Sequence, residues 1–313
     1  MNSKTEKRAK GGEPEWLKRD ERGSIFWQRF MCRLSLMFGR RLSRSIVVGI
    51  ALYFLLAVPA ARKASRAYLT RCLGRHVTWQ DMFRHIFTFS STIHDRFYLL
   101  NDRHDLFNIK VVGTSPQQLL GASNSGFFLF GAHFGSFEIL RTHARENPGM
   151  KVCVAMYPEN ASKLNSALAA VNPHVMQDII ALGTFDSMLA IRDKLVNGAV
   201  VGILADRAVG SDQTISIPFL GAPANFPTGP FRLAAMLRHP VYFMAGIYLG
   251  GNRYEIHFEL LADLSLSDAT DREAVVRGVL VKYVAALERH CKAAPYNWFN
   301  FYDFWDTSCH DKV

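Results

Sequence analysis

The chain has 313 residues, 49% of them hydrophobic, which suffices for one large α/β domain with an extension and is too apolar for a disordered protein. Its formal charge of +10 is uneven: residues 1–76 hold 17 Lys or Arg against 5 Asp or Glu, so the basic face sits at one end and suits an anionic lipid surface or an acidic protein, and no nucleic-acid motif accompanies it. Five scattered cysteines (Cys32, Cys72, Cys153, Cys291, Cys309) with no Cys-x-x-Cys pair exclude a disulfide framework and a structural zinc site, and they read as reduced thiols in a cytosol-facing protein.

Residues 1–15 are polar and glycine-containing, the composition of an unstructured tail, and no secretory signal is visible there. Residues 16–78 form a membrane-associating helical region. Its first part mixes Trp16, Phe26, Trp27, Phe30, Leu34 and Phe38 with Arg19, Arg22, Arg29, Arg33, Arg40, Arg41 and Arg44, as a basic amphipathic segment at a membrane surface does; a solvated packed helix is the plainer reading. Residues 46–61 are almost wholly apolar but number 16 and include Pro59, short of the roughly 20 that span a bilayer. Arginines and a lysine flank both ends (Arg40, Arg41, Arg44; Arg62, Lys63, Arg66), so charge selects no orientation and favours a helix lying in the interface, with single-pass spanning left open.

Residues 79–313 form the α/β domain. Met82, Phe83, Ile86, Phe87, Ile93, Phe97 and Leu100 recur near helical spacing, which predicts a helix over Trp79–Leu100 carrying His85 and His94. From there strands at 108–112, 126–130, 152–156, 179–182 and 199–205 alternate with helices at 139–145, 161–170 and 186–196, the last closed by Gly198. Such alternation implies a parallel, right-handed sheet. Residues 241–248 and 254–261, joined by Gly250-Gly251-Asn252, instead read as an antiparallel hairpin, so the fold class is α/β with a mixed, largely parallel sheet flanked by helices. A long helix over 271–291 closes the domain. The tail from Tyr296 to Trp305 is dense in aromatics, which fits core packing, an acyl channel or an interface.

The candidate chemistry lies at strand ends. Gly126 to Phe130 reads as a strand buried on both faces, and Gly131-Ala132-His133-Phe134-Gly135-Ser136-Phe137-Glu138 turns from it into a helix. With Ser136 as helix cap, Glu138 falls in the first turn, favoured there by the dipole, and leans back towards His133. A histidine oriented by a carboxylate takes a proton from an alcohol near neutral pH; the competing reading is a loop histidine capping local backbone. Asp206-Arg207 follows a second buried strand, where ligands of open α/β sheets bind. Ser136 lacks the Gly-x-Ser-x-Gly elbow of a nucleophile. Phe226-Pro227-Thr228-Gly229 reads as a turn into a helix capped by Thr228, either substrate-facing or plain turn chemistry. No Walker loop, Gly-x-Gly-x-x-Gly or His-x-x-x-His spacing occurs, which argues against nucleotide hydrolysis, a nicotinamide cofactor and a metal site.

The ordered set formed by Trp16, Arg19 to Ser24, His133 to Glu138, Ala205-Asp206, Pro218-Phe219-Leu220-Gly221 and Phe226 to Gly229 resembles the lysophospholipid acyltransferase superfamily, in the branch similar to the late acyltransferases of lipid A synthesis. The resemblance runs from about Trp16 to Trp305. It implies a membrane-bound O-acyltransferase at the cytoplasmic face of a bacterial inner membrane. His133 would be the general base and Glu138 its partner in a His-x4-Glu motif. Ser136, Asp206, Arg207, Thr228 and Gly229 would line the substrate site, and acyl-carrier-protein or coenzyme A thioester would be co-substrate, with no further cofactor and no metal. Relatives acting on lipid A often carry an arginine in a Tyr-Arg-Pro stretch where this chain has Met156-Tyr157-Pro158-Glu159. The match is nearer to a branch of predicted acyltransferases that often accompany fatty-acid-like or polyene lipid synthesis, which does not favour lipid A and leaves the acceptor open between it and another lipid or polyene conjugate. A lipid esterase and a non-catalytic lipid-binding protein are the alternatives.

Overall fold

Four consecutive bulky apolar residues make strand β2 (Phe127–Gly131) the centre of the molecule, for every residue of it is buried. Alternation along the pleat sends Phe128 and Phe130 into one apolar cluster and Phe127 and Leu129 into another on the opposite face. Such a strand needs covered neighbours on both sides. Parallel to it run β5 (Val200–Leu204) and, on its other flank, β8 (Val241–Gly250). With β1 (Asn108–Val112), β3 (Val152–Met156), β4 (Ile179–Ala181) and β9 (Arg253–Ala262) these form a seven-stranded sheet in the order β1-β9-β8-β2-β5-β3-β4. Every neighbouring pair is parallel except β8 and β9, the expected hairpin. The computed structural model describes residues 25–113, 125–146, 150–158, 179–208, 212–266 and 271–305. The tail over 1–15, Trp16 with residues 19–24, and the helix expected over 161–170 lie outside the described residues.

Helices α4 (Glu138–Glu146), α5 (Phe185–Val196), α6 (Gly229–Leu237) and α7 (Arg272–Ala293) flank the sheet. Phe130 meets Phe231 of α6 edge to face at 5.1 Å, and Phe231 in turn meets Tyr283 of α7 at 5.4 Å. Asp271 caps α7 through the amides of Glu273 and Ala274. Two expectations are corrected here. Phe226 and Pro227, expected in a turn, end the second strand of an antiparallel pair, β6 (Thr214–Phe219) and β7 (Ala222–Pro227), which turns at Leu220 and Gly221, both with positive φ. Thr228 precedes α6 but makes no side-chain cap; its hydroxyl bonds Gln213 O at 3.1 Å instead.

The N-terminal region is helical as expected but divided differently. Helix α1 (Ile25–Ala57) is interrupted at Gly39, and Pro59 opens a separate helix α2 (Pro59–Leu73), bent 93° from the segment Met37–Ala57. Residues 46–61 are therefore not one element. The Arg62 guanidinium caps the end of α1 through the carbonyls of Leu55 and Leu56. No single described helix is long and apolar enough to cross a membrane; only the bent pair meets that test of length and composition.

Helix α1 packs on α3 (Trp79–Leu100), and its buried residues Ser43, Val47, Ala51 and Leu55 are spaced by four along one face. Arg40 bonds both oxygens of the fully buried Asp95 at 2.8 Å, Tyr254 of β9 donates to the same carboxylate, and the Ser43 hydroxyl meets His94 and Tyr98. Stranding one member of such a buried pair costs about 3–5 kcal/mol, so these contacts fasten α1 to the domain.

Candidate active site

The register of the central strands decides where the functional groups meet. Gly131 of β2 stands opposite Leu204 of β5, and the ladder continues through the Ala205 amide to Gly131 O at 3.0 Å. Counting two residues past each strand reaches His133 and Asp206 at the carboxyl edge of the sheet. There the His133 Nδ1 bonds Asp206 Oδ1 at 2.8 Å, and the His133 amide donates to Asp206 Oδ2 at 3.1 Å. A carboxylate only accepts, so Nδ1 carries the proton and Nε2 presents its lone pair. No other side-chain hydrogen bond holds the imidazole among the described residues, and 35% of that side chain is open to solvent.

Asp206 is fully buried and takes a third donor, the Trp298 indole N–H, at 3.1 Å. Burial alone would raise its pKa, but His133, its amide and Arg207 together hold the carboxyl well below the usual carboxylate range. Burial lowers the imidazole of His133, Arg207 lowers it further and Asp206 opposes both; the net value lies below that of an ordinary histidine. The imidazole is therefore neutral at neutral pH.

The turn that carries His133 is fully engaged. The amides of Phe134, Gly135 and Ser136 donate to the carbonyls of Ala132, Asn297 and Gly246 respectively. Gly135 has φ +63°, and a Cβ there would overlap the Gly246 carbonyl oxygen, while a Cβ on Gly246 would overlap that of Ser136. Both positions require glycine because backbone crosses backbone there. Tyr283 of α7 donates to Gly131 O at 2.8 Å from beneath.

The expected partnership of His133 with Glu138 is corrected. Helix α4 begins at Glu138, two residues after Ser136, so Ser136 does not stand at the cap position, and its amide is bound to β8. The Glu138 carboxylate pairs with Arg96 of α3 at 3.1 Å and with Arg141 at 3.6 Å; no hydrogen bond or ion pair joins it to His133. Sequence spacing offered His133 a local acid, whereas strand register supplies one 73 positions away. Arg207 follows Asp206; one of its terminal nitrogens donates to Phe299 O at 2.6 Å and its Nε is buried without a partner. Thr228 and Gly229 lie beside Gln213 and Tyr157, whose hydroxyl donates to Asp212, and among the described residues no hydrogen bond joins them to His133 or Asp206.

The sequence model for bacterial lipid A biosynthesis acyltransferases matches residues 21–307, most of the chain. The chain belongs to this family. A search of curated proteins finds no match. As a lipid A-type acyltransferase it carries the His133 turn and the Asp206 strand end inside the matched span, so the hydrogen-bonded pair at the sheet edge is the candidate catalytic centre of an acyltransferase. Trp298 is the site residue that sequence reasoning missed; its aromatic stretch was visible, but its hydrogen bond to Asp206 joins positions 92 apart.

Proposed function

We propose that this acyltransferase moves a fatty acyl chain from an acyl-carrier-protein or coenzyme A thioester to a hydroxyl of a membrane lipid or glycolipid, with His133 as general base. The hydrogen bond from His133 Nδ1 to the buried Asp206 is the observation that carries this reading, because it leaves Nε2 deprotonated and reachable. Nε2 takes the proton of the acceptor hydroxyl as its oxygen attacks the thioester carbonyl. The tetrahedral oxyanion forms beside the Arg207 charge, the C–S bond breaks, and the imidazolium returns the proton to the leaving thiolate. No acyl-enzyme forms. Glu138 anchors the start of α4 to Arg96 of α3 and so positions the turn rather than the imidazole. Tyr157 and Asp212, with Thr228 and Gly229 beside them, contribute an acceptor-side wall where relatives acting on lipid A place an arginine, and the acceptor is a different lipid.

The same reading places the enzyme on the cytoplasmic leaflet of a bacterial inner membrane. The outer face of α1 is apolar and exposed through Leu42, Val48, Leu52, Tyr53 and Leu56, while its inner face is fastened to α3. Exposed Arg41, Lys63, Arg66 and Arg71 flank it. An apolar stripe bordered by cations suits the interface of an anionic bilayer, and the basic end also suits an acidic acyl carrier. The test uses the full chain, vesicles of phosphatidylethanolamine and phosphatidylglycerol containing a bacterial lipid extract, and radiolabelled palmitoyl thioesters of carrier protein and coenzyme A. Label is expected in a lipid ester with one free thiol per ester; label appearing only as free palmitate overturns transfer in favour of an esterase. Leu52→Asp with Leu56→Asp is expected to abolish flotation with the vesicles, and undiminished flotation overturns the α1 assignment.

A further inference from the structure

The stretch Asn297-Trp298-Phe299 runs across the catalytic turn and is hydrogen-bonded to it at several points. Asn297 O accepts from the Gly135 amide and the Phe299 amide donates to His133 O, each at 2.7 Å, with Phe134 and Trp298 bridged antiparallel between them. The Asn297 side chain pairs with both backbone groups of Tyr248, which joins this segment to β8. Trp298 itself is fully buried and held at two ends. Its carbonyl accepts from His85 Nε2 at 2.7 Å, so that imidazole carries its proton on Nε2, and Nδ1 accepts from the Ser65 hydroxyl at 2.9 Å. Burial brings His85 down to about 4 against the pull of the Trp298 carbonyl, and it is neutral wherever the enzyme works. The indole N–H of Trp298 ends on Asp206 Oδ2.

We propose that Trp298 is a positioning residue of the transferase reaction, fixing the Asp206 carboxylate and thereby the basicity of His133, an inference that rests on His133 being the base. The indole packs edge to face on Phe304 at 4.9 Å, Tyr68 at 5.0 Å and Phe219 at 5.2 Å, which locks its plane. Its N–H dipole points its positive end at Asp206 and reduces the negative potential that the carboxylate presents to the imidazole. The other ionisable groups around the pair are Arg207 beside Asp206, Tyr283, His290 and Cys291 on α7 and Tyr302 in the tail. Burial raises both tyrosines and the thiol and lowers His290 to about 4, so of these groups, among the described residues, only Asp206 and Arg207 are charged at neutral pH.

Trp298→Phe keeps an aromatic ring in the buried site, at some loss of packing, and removes the donor. Less restraint on the Asp206 charge stabilises the imidazolium, so the midpoint of His133 is expected to rise by about 0.5–1 pH unit. Looser positioning of the imidazole is expected to lower kcat about 10-fold, with KM for both substrates unchanged. The control is Trp305→Phe, which deletes an indole hydrogen bond in the same aromatic cluster, to Phe219 O, and has no contact with Asp206; it should lower Tm and leave the midpoint alone. Imidazole titration by 15N NMR on the full chain reads the midpoint without reference to turnover. An unmoved midpoint in Trp298→Phe, or an equal shift in Trp305→Phe, overturns the assignment. A shifted midpoint with unchanged transfer supports the coupling and removes His133 as the base instead. If Trp298→Phe fails to fold, the indole N–H resonance of Trp298 in the unmodified protein serves: it should follow the His133 titration while that of Trp305 does not, and a Trp298 signal indifferent to that titration overturns the proposal.

Discussion

His133→Ala is expected to lower acyl transfer by about 10²–10⁴-fold, the range that a positioned general base contributes. The loss should fall on kcat, because the imidazole meets the acceptor proton only as the reaction proceeds, and thioester binding should be little changed. The fold should survive. The imidazole is about a third exposed at 35%, and Asp206 keeps the amide of residue 133 and the Trp298 indole as donors after the ring is removed. A circular-dichroism melt beside the transfer assay separates the two effects, and wild-type transfer by the variant would remove His133 from the chemistry.

Asp206→Asn should be as damaging to the rate and worse for stability. The native carboxylate is fully buried and receives three N–H groups, from His133 Nδ1, the His133 amide and Trp298. An asparagine offers one oxygen for these donors and turns an NH2 group towards the rest, so at least one buried N–H loses its acceptor. That costs about 1–3 kcal/mol, and for a chain of this size it lowers Tm by several degrees. The amide also frees the imidazole to place its proton on Nε2, where it cannot act as base, and the rate should drop by at least about 10²-fold. Thermal melts and transfer rates measured together check both parts; a variant with wild-type Tm and rate contradicts the three-donor site.

Much of the fold was legible because its signals are local. The buried run Phe127 to Phe130, the hydrophobic stretch Val200 to Leu204 and the Gly250-Gly251 turn each declare themselves within a few residues, and the strands expected of the seven-stranded sheet stand within two residues of where they were expected. The β6–β7 pair carries Pro218, Pro223 and Pro227, residues disfavoured in strands, so no local signal marks it, whereas a two-strand ribbon tolerates proline at ladder positions that donate no hydrogen bond. His133 and Asp206 were each recognised as strand-end residues, yet their pairing was not, since it depends on the Gly131 to Leu204 register. Glu138 drew attention by closeness in sequence, but Arg96 of α3 reaches it instead. The role of Trp298 was hidden for the same reason: its partner lies across the fold.

The central claim is that the imidazole on Asp206 is the base of acyl transfer, and the pH dependence of kcat/KM set beside the NMR titration of His133 tests it most directly. Burial and, after it, Arg207 outweigh Asp206 at this imidazole, so its midpoint lies below that of an ordinary histidine. Transfer should be on its plateau at neutral pH and fall as pH drops through that midpoint, tenfold per unit below it, with the kinetic and NMR midpoints coinciding. A rate that stays level through the His133 titration, or a limb that follows some other group, would contradict the account.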